Sequence, residues 1–239
     1  MKTRFFKTDL PTPNTLVRLL ALGLLACAMP SYAATVALGF ACISNNNASS
    51  CATGEQQLHA ELSQSTVDTA TFAFSNIGAN ASVIGQIYFD DRDNLLGSIT
   101  TLSFGDYGRV SFSERARSAN LPGGRSRAVG FLADFSLGAA NPSPKNGLNN
   151  GAGSDFESLS VTFLLGSDFG SLRSALARGE LRLGIHAQAF AGGFSESFVN
   201  QPSTVVPIPA TVWLFATGLI GFVGIARRRA DKSAPADFK

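Results

Sequence analysis

Apolar and polar residues alternate along most of the chain between residues 35 and 199, and this alternation is what most restricts its fold. A period of two places successive side chains on opposite faces of a β-strand, whereas a helix needs a period near 3.6. Three segments each present one apolar face in this way: Leu58, Ala60 and Leu62; Leu159, Val161, Phe163 and Leu165; and Leu181, Leu183, Ile185, Ala187 and Ala189. The sequence therefore predicts a domain of short, half-buried strands.

Turn-forming residues separate the predicted strands. Glycine, proline, asparagine and aspartate cluster at residues 76–78, 90–94, 121–124 and 141–154, which predicts turns at these places. The 24 Gly and 19 Phe, against only 2 Met, favour a β-rich domain with aromatic packing over a helical bundle. We expect an all-β fold, a jelly-roll-like β-sandwich over residues 34–204.

One segment departs from the alternation and predicts a single short helix. Asp168 is suited to cap its start, and Gly179 is suited to end it. Phe169, Leu172 and Leu176 fall on one side at helical spacing. We expect this helix to cross one end of the sandwich.

The first 33 residues have the pattern of an export signal. Basic residues precede an apolar run, and Ser31 and Ala33 are small residues at the positions a signal peptidase reads. Cleavage is expected between Ala33 and Ala34. A lipoprotein signal at Cys27 is the alternative, although the leucine two positions before it is bulky for that motif.

Export predicts an oxidising compartment, in which cysteines pair. Cys27 leaves with the signal peptide, so Cys42 and Cys51 remain as an even pair. We expect a disulfide between them, closing a loop rich in Asn and Ser that has no other reason to be ordered. A zinc site would need further Cys or His ligands at suitable spacing, and the sequence offers none. We therefore expect neither a metal nor a cofactor.

Charge is unevenly distributed along the chain. The formal net charge is +2, but residues 34–205 hold 10 basic and 14 acidic residues, a net charge of −4. Nucleic acid is not expected as a partner, because its binding depends on neutralising phosphates. Four arginines nevertheless surround a Leu-Pro-Gly-Gly turn, where contact with a polyanion and an ordinary solvated edge both remain open: Arg115, Arg117, Arg125 and Arg127.

The candidates for catalysis are weak. His59 and His186 lie in alternating segments and are expected to be structural. Ser195 lacks the second glycine of a nucleophile elbow, which favours a simple turn. Asp155 and Glu157 could act as paired carboxylates in a glycosidase, but solvated charges at the start of a strand explain them as well. The sequence therefore assigns no catalytic residue.

A cluster of carboxylates invites comparison with a calcium loop. Asp90, Asp91 and Asp93 could supply oxygen ligands. Leu95 and Leu96, however, replace the residues that an EF-hand loop needs at the following positions. A hairpin turn explains the cluster equally well, so calcium binding remains an open alternative.

The C-terminal segment begins with two closely spaced prolines. Pro207 and Pro209 exclude a helix and hold Val206, Ile208 and their neighbours extended. An extended backbone is the shape that a protease or transpeptidase grips as a strand. The segment therefore predicts a recognition site for a processing enzyme, ending near Ala210.

An uncharged span follows the prolines. Residues 210–226 carry no charge and would measure about 26 Å as a helix, the short limit for crossing a bilayer. Trp213 suits the outer interface, and the positive-inside rule places residues 230–239 in the cytoplasm. Three consecutive arginines supply that rule's positive charge: Arg227, Arg228 and Arg229.

This order of features resembles the PEP-CTERM sorting signal of Gram-negative bacteria over residues 205–229. The shared parts are V-P-I-P-A, a short apolar span with Trp, and a closing arginine cluster, although Ile208 stands where the naming motif has Glu. The resemblance implies handling by an exosortase, a membrane-embedded cysteine protease-like enzyme, in cells that make exopolysaccharide. Upstream runs such as QIYFDD and NLPGG are also similar to ectodomains found with such tails, which brings no known activity.

The signal peptide, the sorting tail and the lack of an assigned catalytic residue together predict a non-enzymatic exported protein, anchored transiently and then delivered to the cell surface or an extracellular, biofilm-type matrix. Its expected partners are an exosortase-like enzyme, the membrane through residues 210–226, and extracellular polysaccharide. A secreted carbohydrate-binding module and a polysaccharide hydrolase are the alternatives.

Overall fold

The computed structural model describes residues 35–151 and 156–202. The expected signal peptide with its Ala33-Ala34 cleavage site, the sorting signal and Asp155 lie outside these residues. The described helices are α1 (Ala48–Gln57), α2 (Ser143–Asn146) and α3 (Phe169–Arg178). The described strands are β1 (Val36–Leu38), β2 (Phe40–Cys42), β3 (Leu58–Thr66), β4 (Thr69–Asn76), β5 (Val83–Asp91), β6 (Leu96–Phe104), β7 (Phe112–Glu114), β8 (Phe135–Ala139), β9 (Leu148–Asn149), β10 (Ser158–Leu165), β11 (Leu181–Gln188) and β12 (Glu196–Asn200).

The strands form two antiparallel sheets, which confirms the predicted mostly-β fold. The first sheet has the order β1-β3-β4-β10-β6. The second has the order β2-β12-β11-β5-β8-β7, with β9 paired to β5. Both sheets contribute apolar residues to one buried cluster, so they pack face to face as a β-sandwich.

Phenylalanine rings fill the space between the sheets. Phe89 of the second sheet lies among three rings of the first, with centroid distances of 5.2 Å to Phe72, 6.0 Å to Phe74 and 4.9 Å to Phe163. All four residues are fully buried. Edge-to-face aromatic packing of this kind adds to the area that each ring removes from water, so Phe89 joins the two layers.

The predicted apolar faces lie in this core. The alternate residues of β3, β10 and β11 named above are buried, apart from two at strand ends. Leu165 is half-buried at the end of β10. Ala189 is exposed with a φ of 58°, because β11 ends at Gln188 and the chain turns there.

The predicted helix is confirmed as α3. The Asp168 carboxylate accepts a hydrogen bond from the Ser171 amide at 2.9 Å, and Gly179 ends the helix with a left-handed φ of 74°. Leu172 and Leu176 are buried on its inner side. The expectation of one helix only is wrong, since α1 and α2 form where loops and turns were expected.

Residues 90–94 do not form the expected hairpin turn. They connect β5 to β6, and these strands belong to different sheets. The connection instead carries the chain from one layer of the sandwich to the other, although it is as short as a hairpin loop.

The N-terminal clip, residues 40–57, consists of β2 and α1 joined by the predicted disulfide. Cys42 and Cys51 are bonded, with their Cα atoms 5.4 Å apart. The side chain of Asn47 caps α1 by accepting from the Ser50 amide at 3.0 Å. A side chain at Gly54 would overlap the ring of Phe198, so this glycine lets the helix lie directly on the second sheet.

A buried carboxylate orders the segment between the cysteines. Glu196 is fully buried in β12 and accepts hydrogen bonds from the amides of Asn46 at 3.0 Å and Asn47 at 2.7 Å, and from the Ser44 hydroxyl. The disulfide-bounded segment is thus ordered by a side chain about 150 residues away.

Removing the disulfide should lower the free energy of unfolding by about 2 to 3 kcal/mol, on the loop-closure scale for short loops. The loss should concentrate in the clip, because the two cysteines are only nine positions apart. Urea denaturation and amide hydrogen exchange of the exported C42S/C51S double variant would measure both effects. Cys27→Ser is the matched control, because that residue is expected to leave with the signal peptide. Two titratable thiols in the exported protein would contradict the prediction.

Candidate functional site

The described residues cover only part of the outer face of the second sheet. Residues 115–134, here called the cover segment, fold over Tyr88 and Val199 on that face. Leu121 and Phe131 of the cover segment are buried against them in a second, smaller apolar cluster. Within the described residues, the rest of this face includes exposed side chains such as Ser113.

A buried ion pair fixes the cover segment to the sheet. Arg182 of β11 and Asp90 of β5 are cross-strand neighbours and form a salt bridge. Arg182 also donates to the carbonyl oxygens of Val129 at 2.7 Å and Gly130 at 2.6 Å. Its guanidinium carbon lies 5.3 Å from the centre of the Phe131 ring, within the range of a cation–π contact. Sequence reasoning missed this pair, because its partners are 92 positions apart.

The carboxylates compared above with a calcium loop have internal partners. Asp90 pairs with Arg182, and Asp91 accepts from the amides of Leu95 at 3.1 Å and Leu96 at 2.7 Å. Burial raises the pKa of Asp91, and those two amides oppose that effect. The bonds close the crossover between the sheets, so the cluster has a structural role here.

The uncovered part of the outer face carries a row of small and polar residues. Strand register places one residue from each of five adjacent strands side by side: Ser197, His186, Gln86, Gly138 and Ser113. At the strand spacing of antiparallel sheets the row is about 19 Å long. Its members from His186 to Ser113 form the floor of what is here called the polar groove, whereas Ser197 is buried beside it.

The start of the cover segment forms one rim of the groove. A Cβ atom at Gly138 would lie 3.0 Å from the Cα atom of Ala116, so glycine allows the chain to pass directly over β8. Arg115 and Arg117 flank Ala116, and both line the groove. Arg117 also donates to the side chain of Asn141 at 3.1 Å, and Asn141 lines the groove as well.

The groove has a volume of about 360 Å³ and a strongly polar lining. The guanidinium, amide and imidazole side chains that line it are those of Gln86, Arg115, Arg117, Asn141, His186 and Gln188. Two of the four arginines named in the sequence analysis, Arg115 and Arg117, line the groove. Arg125 lies at a separate depression beside the Leu-Pro-Gly-Gly turn, and Arg127 lines neither the groove nor that depression.

Two buried contacts orient the groove floor. The Tyr88 hydroxyl donates to the side-chain oxygen of Gln86 at 2.7 Å, and burial raises the pKa of Tyr88 to about 12. His186 Nδ1 lies 3.1 Å from the hydroxyl oxygen of Ser197. Burial lowers the pKa of His186, against a smaller opposing effect of Glu196. The imidazole is therefore neutral at neutral pH, and the fixed positive charge of the groove comes from its arginines.

His186 and Ser197 form the described pair that most nearly resembles a catalytic dyad. Ser197 is only 1% exposed, so a substrate cannot reach its hydroxyl, which a nucleophile requires. The neighbouring Glu196 points to the opposite face of β12 and binds the clip. The pair therefore supports the sheet instead of forming a triad.

The other catalytic candidates have separate positions. Ser195 accepts a hydrogen bond through its backbone carbonyl from Asn46, in the turn that precedes β12. Glu157 accepts from the backbone amide and side chain of Asn149 at 2.6 and 2.9 Å. His59 is exposed on β3, in the first sheet. The structure brings none of these three into the groove.

The exposed aromatic residues of the described chain do not form one platform. Phe104 and Tyr107 lie at and after the end of β6, in the first sheet, while Phe194 lies in the turn between β11 and β12. Among the described residues, no phenylalanine, tyrosine or tryptophan lines the groove. A ligand there must be held by hydrogen bonds and charge.

No helix among the described residues has both the length and the apolar character needed to cross a membrane. Comparisons with protein-family models, curated proteins and solved structures give no match to the chain.

Proposed function

We propose that the chain is a non-enzymatic exported protein of a Gram-negative bacterium, displayed at the cell surface or in the extracellular matrix after a sorting enzyme has processed its tail. One observation carries this proposal: two closely spaced prolines, an uncharged span and three arginines follow one another at residues 206–229. Each part supplies one step, respectively recognition, temporary anchoring and a stop in the membrane.

The described domain supports the proposal in two ways. The Cys42–Cys51 disulfide is of the kind that forms after export into an oxidising compartment. Two candidates for catalysis also make internal contacts: Glu157 accepts from Asn149, and His186 lies against the hydroxyl of the buried Ser197. Within the proposal the domain is a jelly-roll-like sandwich, which the division of its strands between two antiparallel sheets supports.

Replacing both Pro207 and Pro209 with alanine should trap a membrane-bound precursor. The uncharged span and the arginines are unchanged, so insertion should continue, but the extended backbone that the sorting enzyme grips is no longer enforced. Intact-mass measurement should find a shortened species for the native chain and only the unshortened species for the variant. Pro202→Ala is the matched control, since Pro202 lies just outside the recognition segment.

Deleting Arg227, Arg228 and Arg229 should have a different effect. The stop in the membrane weakens, so more protein should pass through without processing. For the native chain, the contrary outcome is an extracellular species that keeps Trp213 and the arginines and that does not change when the sorting enzyme is lost. That outcome would show that the span is a permanent anchor and would overturn the proposal.

A further inference from the structure

We propose that the polar groove binds a carboxylate-bearing oligosaccharide, of the uronate type, with Arg115 and Arg117 as its carboxylate contacts. This inference rests on the proposed function, because it names the ligand class that the exported domain would recognise.

Among the described residues, the two rim arginines, like Arg109, Arg125 and Arg127, form no salt bridge with an acidic side chain. Arg92, Arg178 and Arg182 each form a salt bridge with an aspartate. Within the described chain, no such bridge involves Arg115 or Arg117, although the domain is acidic overall. Guanidinium groups bind carboxylates through paired N–H donors, and a groove concentrates the field of its charges. The rim is therefore suited to an acidic ligand.

The backbone at Arg115 adds an independent observation. Its φ is 68°, a left-handed conformation that disfavours a long side chain and favours glycine or asparagine. The Arg115 amide nevertheless donates to the Ser136 carbonyl at 2.7 Å, which fixes this conformation. Strain of this kind collects at functional positions, and here it places an arginine on the rim.

The floor and other lining residues of the groove supply hydrogen bonds for hydroxyl groups. Gln86 gives its side-chain oxygen to Tyr88, which turns the amide N–H donors away from that contact. Gln188 and Ser143 form a second polar pair at 2.6 Å, and Ser113 is exposed at the end of the row. A peptide would find no large apolar pocket here, and a neutral sugar would find no aromatic ring. An extended chain that carries both hydroxyls and carboxylates fits the groove best.

Titration calorimetry with the full chain in mild detergent would test this proposal, using an oligogalacturonate and its neutral methyl ester as probes. The oligogalacturonate should bind, and methyl esterification should weaken binding at least about tenfold, as expected for loss of charge-assisted hydrogen bonds. Arg115→Gln and Arg117→Gln should each weaken binding by about the same factor. Arg127 is an exposed arginine outside the groove, so Arg127→Gln should leave the affinity within about twofold. The substitution removes only a distant charge, whose effect on the ligand is screened by salt.

A further variant distinguishes binding in the groove from general attraction of an anion to positive charge. Ser113→Tyr fills one end of the groove from an exposed edge position without changing charge, and it should also weaken binding. Circular dichroism would confirm that each variant keeps its fold. Equal binding of the acid and its ester, unchanged affinity in the two arginine variants, binding of inorganic sulfate alone, or no binding at all would each overturn the proposal. Tail processing, followed by intact mass, reports separately on the proposed function.

Discussion

Replacing Arg182 with methionine should lower the free energy of unfolding by about 3 to 5 kcal/mol, because it removes the nearest charged partner of a buried carboxylate. Asp90 is only 2% exposed, and its other cationic neighbour, Arg92 at 3.8 Å, has a half-exposed side chain. The same substitution removes the donors to Val129 and Gly130, so the cover segment should also loosen. Urea denaturation would measure the loss, and limited proteolysis at Arg125 and Arg127 would report the loosening.

A matched exposed pair provides the control for this prediction. Arg178 and Asp93 lie 3.7 Å apart with exposed side chains, so Arg178→Met should cost at most about 1 kcal/mol. Combining Arg182→Met with Asp90→Asn should recover part of the loss, with a coupling free energy of about 1 to 3 kcal/mol. If Arg182→Met costs no more than Arg178→Met, the pair does not fix the cover segment.

Local patterns predicted the parts of the fold that depend on neighbouring residues. The period of two placed the apolar faces of β3, β10 and β11 correctly, because each strand buries one face against the opposite sheet. Asp168 and Gly179 marked the ends of α3, because capping depends on residues within one turn. The exposed Ala189 shows the limit of this reasoning at a strand end.

Helix α1 could not be predicted in the same way. Its residues include Ser, Thr and Gly with no apolar stripe, and such residues favour turns when the chain is considered alone. Glu196 binds the amides that precede the helix, and Phe198 packs where Gly54 has no side chain. Both contacts come from β12, so the helix depends on distant tertiary contacts that override local preference.

The groove was only partly visible in the sequence. The arginines around the Leu-Pro-Gly-Gly turn drew attention to a polyanion, but their sequence positions do not separate Arg115 and Arg117 from Arg125 and Arg127. That separation depends on strand register, which aligns Gly138, Gln86 and His186 across three strands. Register is set by long-range pairing and includes an irregularity after His186. Sequence periodicity alone contains neither piece of information.

Replacing Phe89 with alanine should also destabilise the domain by about 3 to 5 kcal/mol, the usual cost of removing a large buried ring and leaving a cavity. The effect should be near the top of this range, because three rings of the opposite sheet contact Phe89. Little room for collapse remains, since Phe72, Phe74 and Phe163 are held in separate strand positions of the first sheet. The midpoint of urea denaturation would measure the change.

Two further substitutions distinguish loss of packing from loss of an aromatic ring in general. Phe194→Ala should cost less than about 1 kcal/mol, because that ring is 40% exposed in a turn. Phe89→Leu keeps most of the buried volume, so it should cost clearly less than Phe89→Ala. If Phe89→Ala and Phe194→Ala cost the same, the two sheets are not joined through this ring. A large difference would instead show that packing of β5 against β4 and β10 contributes strongly to the stability of the sandwich. This packing lies on the inner side of the sheet whose outer side bears the groove.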